Sequence, residues 1–335
     1  MTDFSATVDW PAAVAALRNH QSVLLIAHVT PDADALGSAL ALGLALRKMG
    51  KSVQVSVGEA GFIVPSSLNF LPGIELIVAP EEAVPSDVVV ICDTSSVERL
   101  GVLREVVLAA PISIAIDHHP TFNGFGTVHL IDPGSPATAA LVLQLIDLLD
   151  VTLDADIAAA VYAGLATDTG SFKFQSTDAS TLRMAARLFD TGFDHAPLAR
   201  KLFDDESFEA LQVLGTAMSQ AQLLPELVGG KGFVFTSISQ EQRHDLPELA
   251  LERVIETLRR TSEAEVAAVF KQSDDGTWKG SLRSKTCVNV AEVASSLGGG
   301  GHRYAAGFTA QGDLASAVAD LIAALTSHVA ESPGT

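Results

Sequence analysis

The first 190 residues alternate short apolar runs with longer helix-like ones, and this alternation constrains the fold more than any other feature. The run SVLLIAH (22–28) is short and almost wholly apolar, which is typical of a strand buried in a parallel sheet. The following segment, 35–50, is predicted to be a helix, with Lys48 in its last turn and Gly50 at its C-terminal cap. Further strands are predicted over 52–57, 74–79, 87–93 and 112–117, and further helices over 136–149, 155–170 and 178–189. Together these elements predict an α/β fold with a doubly wound, mainly parallel sheet.

The rest of the chain has a different pattern. We predict a domain over 1–190, a charged helical connector over 191–225, and a smaller α+β domain over 226–335. The predicted elements of the last domain are a strand (232–239), a helix (246–260), a hairpin (264–285) that turns at Asp274-Asp275-Gly276, a helix beginning near Val290, a glycine run (298–301) and a last helix (about 312–328).

Length, charge and cysteine content limit the class of protein. A chain of 335 residues exceeds what one hydrophobic core usually supports, so two domains are expected. The formal net charge of −19 argues against binding of long nucleic acid, but not against small phosphorylated ligands. Cys92 and Cys287 are expected to be reduced thiols of a cytoplasmic protein. No secretion signal or membrane-spanning segment is evident, so no membrane partner is expected.

Acidic and histidine side chains stand at the ends of three predicted strands. They are His28, Asp32 and Asp34 after the first strand, Asp93 at the end of 87–93, and Asp117, His118 and His119 at the end of 112–117, with Asp168 near the end of a helix. Because the carboxyl ends of parallel strands meet at one edge of a sheet, these side chains are expected to converge. Convergent carboxylates repel one another unless cations neutralise them. Carboxylates with some imidazole suit Mn²⁺ or Mg²⁺ better than a thiolate zinc site does.

Each of these residues, taken alone, also has a structural explanation. A single histidine such as His28 at a strand end is more often structural, and Asp32 could simply cap the following helix. Asp93 and Asp168 alone would more often be surface or capping residues. The joint placement of all these acidic and histidine residues at the ends of apolar elements favours a shared site. Adjacent side chains on an extended segment point to opposite sides, so His118 and His119 are expected to face different partners.

Four segments carry a resemblance to a known family. HVTPDADALGSALAL, CDTSS, IDHHPTFNGFG and GLATDTGSF resemble, in this order, the four motifs of the DHH phosphoesterase superfamily. The segments GSLRSK and VNVAEVASSLGGGGHRYAAGF resemble the DHH-associated substrate domain. Length and layout are most similar to the nano-RNase and pAp phosphatase group, which includes cyclic-di-AMP phosphodiesterases. Two departures, Ala33 in the first motif and Ala140 after a threonine, do not fall on ligand positions.

The resemblance implies two Mn²⁺ ions per chain, with Mg²⁺ as the alternative. One ion would be held by His28, Asp32 and Asp93, and the other by Asp34, Asp93, His118 and Asp168, so that Asp93 bridges them. The catalytic residues implied are His119 and Asp117. His119 would contact the substrate phosphate and protonate the leaving group, and Asp117 would orient a histidine.

The glycine run GGGGH by itself is a weak signal, because a flexible turn explains it equally well. Four glycines would also let backbone N–H groups approach an anion closely, and nearby cationic side chains would add charge-assisted donors. The resemblance implies that this region binds the phosphate and nucleotide end of the substrate. The residues implied are Arg283, Ser284, Gly300, Gly301 and His302, with Asn289 as a weaker candidate.

The function implied is hydrolysis of short oligoribonucleotides, cyclic di-AMP or pApA, and pAp to nucleoside monophosphates by two-metal, in-line attack of water. The alternatives are a manganese inorganic pyrophosphatase, a RecJ-type single-strand exonuclease and, from another class, a non-catalytic nucleotide sensor. GGGGH argues against the pyrophosphatase, the length and acidic charge argue against the exonuclease, and the unbroken metal set argues against the sensor. The resemblance also implies small nucleotides as partners and a homodimer.

Overall fold

The computed structural model describes residues 6–243, 246 and 248–331, and the chain divides into two compact units, 1–205 and 206–335. The division falls within the segment expected to be a connector. Helix α7 (His195–Phe203) lies in the first unit and helix α8 (Phe208–Ser219) in the second. No helix of the described ranges is both long and apolar enough to cross a membrane.

The first unit is built on a sheet that, among the described residues, has six strands. They are β1 (Thr7–Val8), β2 (Ser22–Ala27), β3 (Ser52–Val57), β4 (Val88–Cys92), β5 (Ser113–Asp117) and β6 (Val128–Ile131). The strand order is β1-β6-β5-β4-β2-β3, and every neighbouring pair is parallel except β1 with β6. The mainly parallel sheet predicted from the sequence is therefore confirmed.

Helices cover both faces of this sheet. Besides α7, they are α1 (Trp10–Asn19), α2 (Ala33–Lys48), α3 (Arg104–Ala109), α4 (Thr138–Leu148), α5 (Ala155–Asp168) and α6 (Ala179–Phe189). On one face, Ala35 of α2 packs against Ala27 and Val57 at the strand ends. On the other face, Leu100 and Val107 pack with side chains of β2 and β4. Because packed segments cover both faces, the strands are buried on both sides and the fold is doubly wound, as predicted.

The expectations for this unit were partly incomplete or wrong, and β1, α1 and α3 were among the elements not predicted. The strand predicted over 74–79 is wrong, because Ile74–Leu76 forms a 3₁₀ turn after Gly73, whose φ is +88°. An isolated bridge between Val55 and Ile77 and a hydrogen bond from the Ser56 hydroxyl to the Val78 carbonyl connect this segment to the sheet. The segment covers the edge strand β3 without extending the ladder, which protects an otherwise open edge. Strand β6 was not predicted, since its four residues show too short an apolar run.

The second unit contains a mixed sheet with helices on both faces. Its strands are β7 (Gln222–Leu224), β8 (Phe233–Ile238), β9 (Val266–Gln272), β10 (Trp278–Ser284), β11 (Gly300–His302) and β12 (Ala305–Ala310). Its helices, besides α8, are α9 (Leu227–Gly230), α10 (Gln240–Arg243), α11 (Glu248–Leu258), α12 (Val290–Ser296) and α13 (Leu314–Glu331). The strand order is β11-β12-β10-β9-β8-β7, with only β8 and β9 parallel among the described strands. The α+β architecture is confirmed, and residue 247 of the predicted helix 246–260 lies outside the described residues.

The second half of the glycine run forms a strand, where the sequence was compatible with a flexible turn. Gly300, Gly301 and His302 pair with β12 as the edge strand of the sheet. A Cβ on Gly299 would lie 2.1 Å from the Gly307 carbonyl oxygen, and one on Gly301 would lie 2.6 Å from that of Ala305. Glycine is therefore required at these two positions by the close approach of β12, whereas Gly300 faces open space.

Candidate active site and metal centre

The candidate site lies at the carboxyl ends of three neighbouring parallel strands. His28 follows β2, Asp93 follows β4, and Asp117 ends β5. These strands are adjacent in the order β5-β4-β2, so their ends meet at one edge of the sheet. The side chains at these strand ends therefore converge, as expected from the sequence.

The first group of polar side chains consists of His28, Asp32 and Asp93. The Nε2 atom of His28 lies 3.6 Å from Asp93 Oδ2 and 3.9 Å from Asp32 Oδ2. The other oxygen of Asp32 caps helix α2, accepting hydrogen bonds from the N–H groups of Asp34 and Ala35 at 3.0 and 2.9 Å. Asp32 therefore caps the helix with one oxygen, while its other oxygen faces the cluster.

The second group consists of Asp34, Asp93 and His118, with Asp168 beside it. The Nε2 atom of His118 lies 3.0 Å from Asp168 Oδ2, 3.6 Å from Asp93 Oδ1 and 4.0 Å from Asp34 Oδ2. Each of the two groups offers three ligand atoms within 4.8 Å of one another, a spacing that could hold a metal ion. Both groups contain Asp93, whose Oδ2 faces His28 in the first group and whose Oδ1 faces His118 in the second. The structure thus brings together all six residues that the resemblance assigns to metal binding.

Backbone carbonyl groups fix the orientation of both histidines. The Nδ1 atom of His28 lies 2.8 Å from the Val29 carbonyl oxygen, and that of His118 lies 3.2 Å from the Ser135 carbonyl oxygen. A carbonyl oxygen can only accept, so each Nδ1 carries the proton and donates it. In a neutral ring this leaves Nε2, the nitrogen that faces the carboxylates, with a lone pair for a metal.

The two adjacent histidines do not point to opposite sides as expected. Strand β5 ends at Asp117, so the two-residue alternation of side chains does not continue through His118 and His119. His119 Nδ1 lies 3.7 Å from Asp93 Oδ1, the same oxygen that His118 approaches. Their closest partners nevertheless differ, since His119 Nδ1 is 2.7 Å from Asp117 Oδ1 and His118 is closest to Asp168.

The amino terminus of helix α4 supports two of the carboxylates. The N–H groups of Thr138 and Ala139 donate to the two oxygens of Asp34 at 2.7 and 2.9 Å. The Thr138 hydroxyl donates to Asp93 Oδ1 at 2.8 Å. Asp34 therefore occupies the helix N-terminus, where backbone N–H groups favour negative charge. The sequence indicated the helix but not this contact, because Thr138 lies 104 residues from Asp34.

The carboxylates of the two groups are close enough to repel one another unless positive charge neutralises them. Burial raises the pKa of Asp34 well above its usual range, and the Asp168 and Asp93 carboxylates raise it further. Burial also raises the pKa of Asp93, but the neighbouring imidazoles of His28, His119 and His118 outweigh it, so the net pKa is lowered. Four aspartates in a mostly buried space require protons or cations for neutralisation, and divalent cations satisfy this requirement most fully.

Unusual backbone conformations cluster at the same place. Thr30, Asp93, Ser171 and Phe172 have φ values of +52°, +57°, +57° and +61°, in the left-handed region. All four lie within a few residues of a proposed metal ligand. Non-glycine residues adopt this conformation rarely, and such strain is concentrated at functional sites.

Arg99 also reaches this region and was not predicted from the sequence. Its Nη2 atom lies 2.9 Å from His28 Nδ1 and 3.2 Å from His28 Nε2. A single arginine in an irregular segment carries no periodicity or spacing that would have indicated this position.

In the second unit, the structure places Arg283 and His302 on one face of the sheet. Both are register partners of Ala305, across β10–β12 and β11–β12, and directly opposite residues share a face. The Arg283 guanidinium is already bound: Nε donates to Glu256 Oε1 at 2.9 Å and Nη2 to Glu252 Oε2 at 3.2 Å.

The remaining predicted substrate residues have structural roles in this unit. Ser284 is 1% exposed, and its hydroxyl donates to the Val288 carbonyl at 2.7 Å. Asn289 caps α12 by accepting a hydrogen bond from the Ala291 N–H at 3.2 Å. Gly300 and Gly301 lie on the edge strand β11 beside His302.

Comparison with known proteins identifies the family. Residues 22–165 match the DHH family, N-terminal domain, and residues 230–331 match the DHHA1 domain. The chain is 35% identical over 305 residues to the bifunctional oligoribonuclease and PAP phosphatase NrnA of Thermus thermophilus, covering 87% of this chain and 84% of the relative. The chain therefore belongs to the DHH family and carries a DHHA1 domain, as the sequence motifs predicted. It is accordingly an enzyme, a phosphoesterase that hydrolyses phosphoric ester bonds.

Two further similarities extend the comparison. The chain is 26% identical over 303 residues to the cyclic-di-AMP phosphodiesterase GdpP of Geobacillus thermodenitrificans, covering 84% of this chain and 43% of that protein. The crystal structure of an exopolyphosphatase-related protein from Bacteroides fragilis superposes with a TM-score of 0.86 at 24% identity, covering 96% of both chains. At that identity, the structural likeness supports the fold alone.

Proposed function

We propose that this protein is a manganese-dependent phosphoesterase that hydrolyses short oligoribonucleotides, pAp and cyclic di-AMP or its linear form pApA to nucleoside monophosphates. The observation that carries the proposal is the pair of adjacent ligand groups that share Asp93. The similarity to an oligoribonuclease and PAP phosphatase along most of the chain supports the choice of substrates, and that to a cyclic-di-AMP phosphodiesterase supports the cyclic dinucleotide.

The donor set suits two divalent cations. His28, Asp32 and Asp93 would hold one, and Asp34, Asp93, His118 and Asp168 would hold the other. Carboxylate oxygens with one imidazole per ion favour Mn²⁺, with Mg²⁺ as the alternative. When bound, such a pair neutralises the phosphate and activates a water for in-line attack at phosphorus.

His119, oriented by Asp117, would supply the proton that the leaving oxygen of the substrate needs. Burial lowers the pKa of His119, but the hydrogen bond and charge of Asp117 outweigh it and raise the net pKa. Asp117 therefore favours the protonated form of His119, whose Nδ1–H is donated to Asp117 at 2.7 Å. The proton on Nε2 is then the one that His119 would donate to the leaving oxygen of the substrate.

We propose that the second unit binds the nucleotide end of the substrate through Arg283, His302 and the β11 glycines Gly300 and Gly301. Ser284 and Asn289 would act indirectly, by shaping the segment that joins β10 to α12. We further propose a cytoplasmic homodimer that acts on small nucleotides rather than long nucleic acid, in line with the acidic net charge of −19. Light scattering on the purified protein tests the dimer.

Product analysis with purified protein and Mn²⁺ tests the function. The panel comprises cyclic di-AMP, pApA, pAp, a ladder of oligoribonucleotides and pyrophosphate, with Asp93→Asn as the inactive control. We expect nucleoside monophosphates from the short substrates and little turnover of long RNA or pyrophosphate. Preferential pyrophosphate hydrolysis would identify an inorganic pyrophosphatase, preferential cleavage of long strands would identify a RecJ-type exonuclease, and binding without turnover would identify a sensor.

A further inference from the structure

Arg99 is held in place by an interlocked backbone. It lies in the 3₁₀ segment Val97–Leu103 that follows β4, and its carbonyl oxygen accepts a hydrogen bond from the Val29 N–H at 2.8 Å. The next side chain, Leu100, is fully buried. A Cβ on Gly58 would lie 1.7 Å from the Leu100 carbonyl oxygen, and the Val102 N–H donates to the Gly58 carbonyl at 2.8 Å. Two chain segments thus meet without space for a side chain, which fixes where Arg99 projects.

The guanidinium of Arg99 lies against the ring of His28. The Nδ1 proton of His28 is donated to the Val29 carbonyl, so Nδ1 cannot accept from Arg99. The remaining ring acceptor is Nε2, which is 3.2 Å from Arg99 Nη2 and is the nitrogen proposed to bind a metal. Within the described part of the chain, no carboxylate lies within ion-pair distance of Arg99. Arg99 is a half-buried cation at an acidic site that is not neutralised by a carboxylate of its own.

A metal ion on His28 Nε2 would remove the acceptor that Arg99 now contacts. The guanidinium and the ion repel each other, so the side chain would turn toward an anion bound at the same edge of the site. The anion expected there is the substrate phosphate, which the proposed metals would bind. Arginine presents planar, paired N–H donors that match phosphate oxygens, and it cannot lose its charge.

We propose that Arg99 is a further catalytic residue, which donates hydrogen bonds to a non-bridging oxygen of the scissile phosphate and stabilises the negative charge that develops there. The proposal rests on the proposed function, since it assumes a metal on His28 and a phosphoester substrate. It differs from the role proposed for Arg283, because the scissile phosphate is common to every substrate whereas the nucleotide end is not. Donors aimed at developing charge typically contribute about a hundred- to a thousandfold to turnover.

The test uses Arg99→Met, which keeps the apolar stem and removes the charge, and Arg99→Lys, which keeps the charge without the paired donors. The matched control is Arg104→Met, an exposed arginine at the start of α3. On each full-length protein, we would measure Mn²⁺ stoichiometry and affinity by calorimetry, binding of inorganic phosphate to the Mn²⁺-loaded form, and hydrolysis of pAp and of bis-p-nitrophenyl phosphate. Thermal unfolding checks that each variant is folded.

We expect Arg99→Met to bind the same amount of Mn²⁺ with equal or higher affinity, because a repelling cation is gone. Phosphate binding should weaken at least tenfold, and kcat/KM should fall about a hundredfold for both pAp and the small ester, with partial recovery in Arg99→Lys. Weaker Mn²⁺ binding, with activity restored at high Mn²⁺, would show instead that Arg99 braces His28 and would overturn the proposal. Unchanged phosphate binding would also overturn it. If the wild-type protein hydrolyses none of the substrates, the proposed function fails, and the phosphate-binding comparison still decides the role of Arg99.

Discussion

The Thr138 hydroxyl offers a direct test of how the shared carboxylate is oriented. Its bond to Asp93 Oδ1, at 2.8 Å, is shorter than the distances from Asp93 to His28, His118 and His119, which are 3.6, 3.6 and 3.7 Å. The torsion that rotates an aspartate carboxylate has no sharp preference of its own. Thr138 therefore holds the rotation that turns Oδ2 to His28 and Oδ1 to His118. The substitution Thr138→Val removes this donor with little change of shape and keeps the backbone N–H that binds Asp34.

The expected loss can be estimated from the kind of contact removed. Residues that orient metal ligands typically contribute about ten- to a hundredfold to metal affinity, which corresponds to about 1.4–2.7 kcal/mol. A hydrogen bond to a charged group contributes about 1.5–3 kcal/mol, so the two estimates agree. We expect Mn²⁺ affinity to fall by this factor in Thr138→Val and to recover in Thr138→Ser, which restores the hydroxyl.

Calorimetric titration of metal-free protein with Mn²⁺ is the assay, and Thr236→Val is the matched control. Thr236 is 2% exposed in the second unit, and its hydroxyl donates to the Ala217 carbonyl at 2.6 Å. This control loses a buried hydrogen bond to a neutral acceptor, so it should lower stability without changing Mn²⁺ affinity. Unchanged Mn²⁺ affinity in Thr138→Val, or an equal loss in both variants, would refute the argument that the hydroxyl orients Asp93.

Four other substitutions test separate parts of the structure. Asp93→Asn should keep the fold but lose Mn²⁺ binding and activity, and near-normal turnover at saturating Mn²⁺ would contradict the bridging role. His118→Ala should weaken metal binding, whereas His119→Ala should lower kcat with metal content retained; equal metal loss measured in both would mean that their roles are wrongly divided. Glu265 is buried and accepts the N–H groups of Thr286 and Cys287 at 2.8 Å each, and these bonds outweigh burial and lower its pKa below the ordinary 4.5. The ionised Glu265 therefore stabilises the fold above pH 4.5, and this contribution is lost as the pH falls below that value. Glu265→Gln should lower the melting temperature at pH 7, and its difference from the wild-type melting temperature should shrink on acidification. A melting-temperature difference that stays constant with pH would contradict this.

The proposed ligands could be located from the sequence because two simple rules coincide there. Apolar runs such as 22–28 and 87–93 are long enough to indicate parallel strands, and parallel strands place their carboxyl ends together. The order of the parallel strands alone therefore predicts that acidic and histidine residues at those ends lie in one region. The same reasoning failed at 74–79, where the apolar pattern suits a strand but Gly73 starts a 3₁₀ turn that covers the edge of the sheet.

The residues that support the ligands could not be located in this way. Thr138 is 45 residues from Asp93, and only the packing of α4 against the sheet edge brings its hydroxyl to the carboxylate. Arg99 reaches His28 because Gly58 and the Leu100–Gly101 backbone pack without a side chain between them, which is a contact between distant segments. The glycine run 298–301 was interpreted as an anion-binding segment, although Gly299 and Gly301 are required by the close approach of β12. Contacts of this kind depend on tertiary packing, which periodicity does not encode.

The conformation of Asp93 joins the chemistry of the site to the local fold. Its φ of +57° lies in the left-handed region, which aspartate and asparagine adopt more readily than most residues with a Cβ. Strand β4 ends at Cys92, and the turn at Asp93 directs its carboxylate to the edge where His28 and His118 converge. Because alanine would add backbone strain to the loss of the carboxylate, Asp93→Ala would combine two effects in one measurement. Asparagine keeps the shape and the tolerance for positive φ and removes only the charge, so a loss of metal in Asp93→Asn reports on the bridging carboxylate itself. The backbone thus limits this position to few residue types, and the proposed metal binding would select among them the one with two charged oxygens.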